Sequence, residues 1–401
     1  MSGPTRSPGG TDASPIVVVG ASAAGLAAAE GLRSRGYDGG LVLIDPDPDL
    51  PYERPALSTS LLRDLDGPQP VSPPDDRLER LAAERVHDRA AGLDVDGHEV
   101  LLAGGRRLRY RSLVVATGAT PHRPAALDGP VGVHTLRDLA DARALRHALA
   151  SATSLVVVGA GFLGTEVAAA AASAGRTVTL VDPLPAPVAP LGSLVSGLVA
   201  DLHRSHGVDL LLGRSVTEVL GSERVTGVRL DDGRTVPADV VLLALGVAPA
   251  DSWLADSPLR RDGGVVVDEH LRAAPDVFAA GDVARAFSPR YRAHLRVEHW
   301  TTAVGHGDLA AAVALGGPAA ASPPELPYVW TEQYDARLCV LGRTLGHHAT
   351  VVDRQPGSDR LVVAYTDREG RVEGVLTWNW ARMLGPWRAH VAAATRLADL
   401  L

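Results

Sequence analysis

The chain has 401 residues and a formal net charge of −8, from 39 basic and 47 acidic side chains, and every basic residue is arginine because lysine is absent. That excludes the lysine of a phosphate-binding P-loop and the Schiff-base lysine of a pyridoxal phosphate enzyme. A single cysteine, Cys339, excludes an intrachain disulfide, a two-cysteine redox centre and a multi-cysteine metal or iron–sulfur site, and no metal is expected.

Met1 to Pro15 is rich in Ser, Pro and Gly without an apolar core, so residues 1–14 are expected to be a flexible N-terminus and neither signal peptide nor anchor. Ile16–Val19 is a β-branched apolar run that meets Gly20, followed by an alanine-rich helix pattern to about Arg35 and a strand, Leu41–Ile44, ending in Asp45. This is a β-α-β unit. Arg63 to Asp76 reads as a loop, Leu81–Val86 as helix, and Glu99–Ala103 with Arg106–Tyr110 as a hairpin around Gly104-Gly105. Leu113–Ala116 reads as a buried strand. The pattern then restarts: Leu155–Val158, Gly159, a helix to about Ala174, and a strand Thr177–Val181 ending in Asp182. Apolar runs at Val240–Gly246, Gly264–Val267 and Val277–Ala280 are followed by a helix from about Thr301 and a linker marked by Pro323-Pro324. Strand-like runs at Leu338–Leu341, which holds Cys339 as a small buried hydrophobe, Arg360–Tyr365 and Val372–Thr377 precede a C-terminal helix. Together they predict a small α+β domain. Charged, Gly or Pro residues interrupt every long apolar stretch, so no membrane span is expected. A cytoplasmic location follows by default, and the acidic balance gives no support to nucleic-acid binding.

The chemistry is carried by the turns of the two repeated units. Gly159-Ala160-Gly161-Phe162-Leu163-Gly164 allows a tight turn, close approach of backbone to a diphosphate, and close helix–strand packing. A diphosphate there meets the free N–H groups and positive dipole end of the helix. Asp182 lies 18 residues past Gly164, placed to accept from a ribose 2′-hydroxyl. It disfavours a 2′-phosphate, which predicts NADH over NADPH. The first turn, Gly20-Ala21-Ser22-Ala23-Ala24-Gly25, has Ser22 at the middle glycine, where a hydroxyl can still donate to phosphate. Asp45, 20 residues past Gly25, fits the same spacing rule. Ala116-Thr117-Gly118 ends one apolar strand and Gly281-Asp282 ends another, as in a flavin site where the acid accepts from ribityl hydroxyls.

With these pieces in this order, the sequence resembles the two-dinucleotide-binding-domain flavoproteins that include glutathione reductase. More closely, it resembles the NADH-dependent ferredoxin reductases serving Rieske oxygenases and cytochromes P450. Three segments carry the closer likeness: Pro51-Tyr52-Glu53-Arg54-Pro55-Ala56-Leu57-Ser58, Glu298-His299-Trp300 within residues 296–301, and Trp330-Thr331-Glu332-Gln333-Tyr334-Asp335. The fold this implies is α/β, with two Rossmann-like dinucleotide-binding domains and a small α+β C-terminal domain. An FAD-binding domain in two segments (15–120 and 246–325) would hold an inserted NAD(H)-binding domain (121–245), with a C-terminal reductase domain (326–401). The resemblance implies Gly20, Ser22, Ala23 and Gly25 at the FAD diphosphate, and Asp45 or Asp47 at its adenosine ribose. It implies Arg54 at a phosphate or ribose and Ala90 at the adenine through its backbone. Ala116, Thr117, Gly118, Asp282, Val297, Glu298, His299 and Trp300 would line the flavin, with Trp330 near its ring. Gly159, Gly161, Phe162, Leu163, Gly164, Asp182 and Gly246 would serve the nicotinamide cofactor, and Glu166 would stand beside the flavin N5 and the nicotinamide. The implied activity is electron transfer from NADH through FAD to an iron–sulfur ferredoxin feeding a monooxygenase or dioxygenase, by a monomer or homodimer. Arg285, Arg290, Arg292 and Arg296 are the expected docking surface for an acidic ferredoxin.

The sequence departs from the family at a position that matters. The segment that should end Ser-Lys ends Ser58-Thr59, so the lysine that pairs with the Glu166 carboxylate is missing. An unpaired buried carboxylate is expected, with Arg63, one helical turn on, as a substitute cation. Asp182 is followed by a proline-rich run where relatives carry an arginine. Two other readings therefore stay open: a diverged FAD/NAD(P)H oxidoreductase acting on a small molecule in a biosynthetic pathway, and a flavin-binding interaction protein with little turnover.

Overall fold

The computed structural model describes residues 14–49, 51–63, 65, 77–317, 326–346 and 348–401. The N-terminal segment to residue 13, nearly all of the expected 63–76 loop and the Pro323-Pro324 linker lie outside the described residues.

Ile16–Val19 has no polar side chain and no exposed face, which suits the middle of a parallel sheet covered on both sides. It lies between Leu41–Ile44 and Ser112–Val115 in a six-stranded sheet. Val277–Ala279 pairs parallel with Ser112–Val115, and Arg272–Ala274 closes that edge antiparallel. At the other edge, Glu84–Val86 pairs parallel with Leu41–Ile44. The helix expected across Leu81–Val86 is thus a short helix, Arg77–Leu81, followed by a strand. Ala82 takes a positive φ of 46°, which ends the helix, and tertiary pairing overrides the local pattern. Helix Ala23–Ser34 packs on helix Trp300–Ala314 through small residues; a Cβ on Gly307 would lie 2.2 Å from the Ala24 carbonyl oxygen. This close crossing fixes the helix whose first turn faces the site.

The second unit repeats the design. Ser154–Val158 lies at the centre of a five-stranded parallel sheet, between Thr177–Asp182 and Val240–Leu243. Where the chain passes between the two units, Ala119–Pro121 and Val247–Pro249 pair antiparallel. Ala90–Asp94, Glu99–Leu102 and Arg107–Arg109 form the expected hairpin plus one more strand.

Residues from Tyr328 onward build a five-stranded antiparallel sheet. One face packs on helix Leu384–Ala393, the other on helix Gly192–Ser205 of the second unit. The Tyr365 hydroxyl donates to the Leu191 carbonyl at 2.8 Å across that junction. Cys339 is fully buried in the strand Ala336–Gly342. Among the described residues no helix is long and apolar enough to cross a membrane.

Candidate active site

A cavity of about 1020 Å³ runs between the two units and the C-terminal sheet. At one end, Ile16–Val19 stops at Gly20, whose φ of +102° and tight surroundings admit no side chain. A Cβ there would lie 2.2 Å from the Ala116 carbonyl oxygen. A Cβ on Gly25 would lie 1.8 Å from the Gly20 carbonyl, so this glycine serves packing and stands behind the cavity wall. Ser22 and Ala23 line the wall at the start of the helix. The Ser22 hydroxyl accepts from Arg54 Nε at 3.0 Å, and Arg54 Nη1 donates to the Arg137 carbonyl at 2.8 Å. Burial, then the Arg137 charge, push the Arg54 pKa down. Arg137 pairs with Asp282 at 2.9 Å, while its buried Nε has no partner among the described residues. Two guanidinium groups, an unused N–H and a helix N-terminus converge here, which fits a dinucleotide diphosphate.

Of the two candidate ribose acids, Asp45 lines the cavity and Asp47 does not. Asp45 accepts from the backbone N–H of Ala21 at 2.7 Å and of Asp47 at 2.8 Å. Asp47 is occupied by the Tyr52 hydroxyl at 2.6 Å and the Asp49 N–H at 3.0 Å. Ala90 begins its strand half-buried and away from the cavity lining.

Further along, Ala116, Thr117, Gly118, Asp282, Val297, Glu298, His299, Trp300 and Trp330 all line the cavity. Thr117 donates to the Ala250 carbonyl at 2.7 Å. The Trp300 and Trp330 rings meet edge to face at 6.2 Å. Burial pushes His299 down to about 4, so it is neutral at physiological pH.

The second turn repeats the first. Gly159 has φ +110°, and a Cβ would lie 2.3 Å from the Ala244 carbonyl; one on Gly164 would lie 1.9 Å from the Gly159 carbonyl. Asp182 accepts from the Ala160 N–H at 2.6 Å and the Leu184 N–H at 2.8 Å, the same clasp that Asp45 makes. A Cβ on Gly161 would meet nothing within 4 Å. Its φ is −74°, so the fold does not require glycine there, whereas close approach of a diphosphate does. Gly161, Phe162, Leu163 and Gly246 line the cavity; Gly159 and Gly164 pack within the turn, and Asp182 stands at the end of the next strand, clasping the turn's backbone.

Glu166, the fifth residue of helix Phe162–Ser173, faces the same cavity and is not unpaired. It accepts from the Ser58 hydroxyl at 2.6 Å and the Thr331 hydroxyl at 2.7 Å, with a further bond from the Glu332 backbone. Desolvation outweighs these donors and raises its pKa. Thr59 takes no part, because its hydroxyl donates to the Pro55 carbonyl at 2.9 Å. Arg63 is no substitute cation: it lies 3.9 Å from Glu332, and no ion pair reaches Glu166 among the described residues. Ser58 and Thr331 carry no local signal of this role in the sequence, where only the missing charge is visible. Arg137 is marked there only by its place before Asp138, the N-cap of the following helix.

The four arginines expected at a docking surface have different fates. Arg285 is paired with Asp262, and Arg296 with Glu298 at 2.6 Å. Arg290 turns inward to the carbonyls of Ala392 at 2.7 Å and Val391 at 2.5 Å. Arg292 is exposed.

A doubly repeated β-α-β turn opening on one cavity, closed by an antiparallel sheet, defines a two-dinucleotide oxidoreductase. The chain belongs to the pyridine nucleotide-disulphide oxidoreductase family, whose model matches residues 14–307, and a reductase C-terminal domain matches residues 328–399. It is 35% identical over 390 residues to the anthranilate 1,2-dioxygenase system ferredoxin–NAD(+) reductase component of Burkholderia cepacia, covering 95% of each chain. Among solved structures it is similar to the ferredoxin reductase for the CYP199A2 system from Rhodopseudomonas palustris (TM-score 0.87, 31% identity, 93% of each chain). It is likewise similar to the reductase in the covalent putidaredoxin reductase–putidaredoxin complex (TM-score 0.88, 29% identity, 96% of this chain and 94% of the other).

Proposed function

We propose that the chain is an FAD-dependent NADH:ferredoxin oxidoreductase that supplies electrons to an oxygenase through an iron–sulfur ferredoxin in the cytoplasm. The observation that carries this reading is that both glycine turns open on one cavity, lined by Gly20 and Ser22 of the first and by Gly161, Phe162 and Leu163 of the second. The reading divides the chain into an FAD-binding domain (15–120 and 246–325), an NAD(H)-binding domain (121–245) and a covering domain (326–401).

Bound FAD supplies a ring that takes two electrons from NADH and gives them up singly. The residues of this chain then act by positioning and electrostatics. Ser22, Arg54 and Arg137 hold the FAD diphosphate, and Asp45 takes the adenosine ribose. Asp282 takes the ribityl chain, sharing it with Arg137. Gly161 lets the NADH diphosphate approach the helix, and Asp182 selects the free 2′-hydroxyl of NADH over the phosphate of NADPH. Trp300, Trp330 and neutral His299 exclude water from the ring. Glu166 orients the nicotinamide edge as a hydrogen-bond partner. The ferredoxin docks on the loop carrying Arg285, Arg290, Arg292 and Arg296, with Arg292 exposed and unpaired among the described residues.

The test is anaerobic addition of NADH to the yellow protein, followed by an acidic ferredoxin. Rapid bleaching and rapid reoxidation support the reading. Bleaching without ferredoxin reduction favours a small-molecule substrate, and no bleaching favours an interaction protein.

A further inference from the structure

The Thr331 hydroxyl that reaches Glu166 ends a longer line of polar groups. Gln333 Nε2 lies 3.3 Å from Thr331 Oγ1 and 2.9 Å from Thr165 Oγ1. Gln333 Oε1 lies 3.0 Å from His203 Nε2, and His203 Nδ1 lies 3.1 Å from the Tyr334 hydroxyl. Thr165, His203, Thr331 and Gln333 are all buried. Thr165, Glu166 and His203 belong to helices of the second unit, while Thr331, Gln333 and Tyr334 come from the C-terminal sheet and the turn after its first strand.

The donors can be assigned by elimination. An amide nitrogen only donates, so the Thr331 and Thr165 oxygens accept from Gln333. Each hydroxyl has one hydrogen: that of Thr165 goes to the carbonyls of Gly161 and Phe162, at 2.9 and 3.0 Å. That of Thr331 is left for Glu166 Oε1. An amide oxygen only accepts, so His203 carries its hydrogen on Nε2. Burial pushes His203 down to about 4, so its Nδ1 is bare and accepts from the Tyr334 hydroxyl. Every hydrogen in the line Tyr334, His203, Gln333, Thr331 then points toward Glu166. Chains aligned in this way strengthen one another in a low-dielectric interior.

We propose that Gln333 is a positioning residue for Glu166: backed by His203 and Tyr334, it turns the Thr331 hydroxyl so that a hydrogen faces the carboxylate, anchoring Glu166 from the C-terminal domain where Thr59 offers no cation. This rests on the reading of Glu166 as the carboxylate beside flavin and nicotinamide. Among the described residues, the charged or titratable groups Glu332, Arg63, His206 and Asp335 line, with Glu166, a cavity of about 280 Å³. They lie outside the line and are left unchanged in the test.

The experiment follows the infrared carboxyl band of Glu166 in the FAD-loaded full chain, assigned by its absence in Glu166→Gln, as a function of pH. Removing a donor to a charged group raises the protonation midpoint by about one pH unit. Gln333→Met, which keeps the side-chain length without the donor, and Thr331→Val are each expected to show this rise. The double variant is expected to rise no further than Thr331→Val alone, because Gln333 acts through Thr331. A merely structural Gln333 would leave the midpoint in place, and that result overturns the proposal. So does additivity in the double variant, or a Glu166 that titrates in none of the proteins. If Gln333→Met does not fold, Tyr334→Phe breaks the line at its half-buried end and is expected to give a smaller rise; no rise there has the same overturning force. No electron transfer is measured, so a protein that fails to oxidise NADH would refute the proposed function while leaving this result readable.

Discussion

The Ser58 hydroxyl donates to Oε2 of Glu166 at 2.6 Å, from 108 residues away in sequence, while the adjacent Thr59 turns back to the Pro55 carbonyl. The carboxylate in the cavity wall is therefore held by hydroxyls and backbone, with no cation paired to it among the described residues. Such a site still leaves the charged form costly, because neutral donors offset only part of the desolvation.

That cost has a sign. Burial raises the folded-state pKa of Glu166 above its ordinary 4.5, so the folded protein keeps a proton that the unfolded chain has lost. Stability falls as pH rises through that window, and the loss is complete above the folded pKa. Glu166→Gln removes the titration. Its stability relative to wild type is expected to improve progressively as pH rises above 4.5. Thermal melts across pH check this, and a difference independent of pH would contradict it.

Three histidines, two buried and His299 half-buried in the cavity wall, act in the opposite direction. His203, His299 and His306 are all pushed down to about 4 by burial, from an ordinary 6.5. Unfolding between these values takes up protons, so stability is full above pH 6.5 and is lost as pH falls toward 4. Calorimetric unfolding near the middle of this range, in buffers of different ionisation enthalpy, should detect net proton uptake, to which the histidines contribute roughly three protons and Glu166 contributes with the opposite sign. His306→Leu, at a ring whose Nδ1 has no partner, should remove one of them.

The glycines of the second turn separate fold from ligand. Gly159→Ala meets the Ala244 carbonyl at 2.3 Å and a positive φ, so it is expected to destabilise the fold by about 2 kcal/mol or more. Gly161→Ala enters open space and is expected to leave the melting temperature nearly unchanged while raising the KM for NADH about tenfold or more. Equal losses of stability in both variants would show that the turn is only structural.

For ferredoxin docking, Arg292→Ser should weaken the ferredoxin interaction about two- to fivefold at low salt, fading at high salt, without a change in stability. Arg290→Ser instead breaks two carbonyl bonds and exposes the junction with helix Leu384–Ala393, so it should lower stability by about 1–3 kcal/mol. Steady-state kinetics over ionic strength, alongside melts, separate the two. An Arg292→Ser protein with unchanged kinetics at low salt would remove this face from consideration.

Much of the architecture was legible because its signals are local. Each β-α-β unit announces itself as an apolar run, a glycine turn and an acid at the next strand end, and Asp45 and Asp182 make the same backbone clasp in the structure. The segment 81–86 was not legible, since its strand depends on pairing with Leu41–Ile44. The surroundings of Glu166 were legible only in part. A missing lysine is visible in sequence, but hydroxyls arriving from Ser58 and Thr331 are set by two long-range packings. The same holds for Gln333 and His203, 130 residues apart. Arg137 likewise reaches Asp282 from 145 residues away, and no local pattern marks it.

The central claim is a two-step electron path through one cavity, and rapid mixing under anaerobic conditions tests it most directly. One equivalent of NADH should bleach the bound flavin, NADPH should do so far more slowly, and two equivalents of an oxidised iron–sulfur ferredoxin should then restore the oxidised spectrum. A flavin that NADH leaves oxidised, or a reduced protein that no ferredoxin reoxidises faster than buffer alone, would contradict the account.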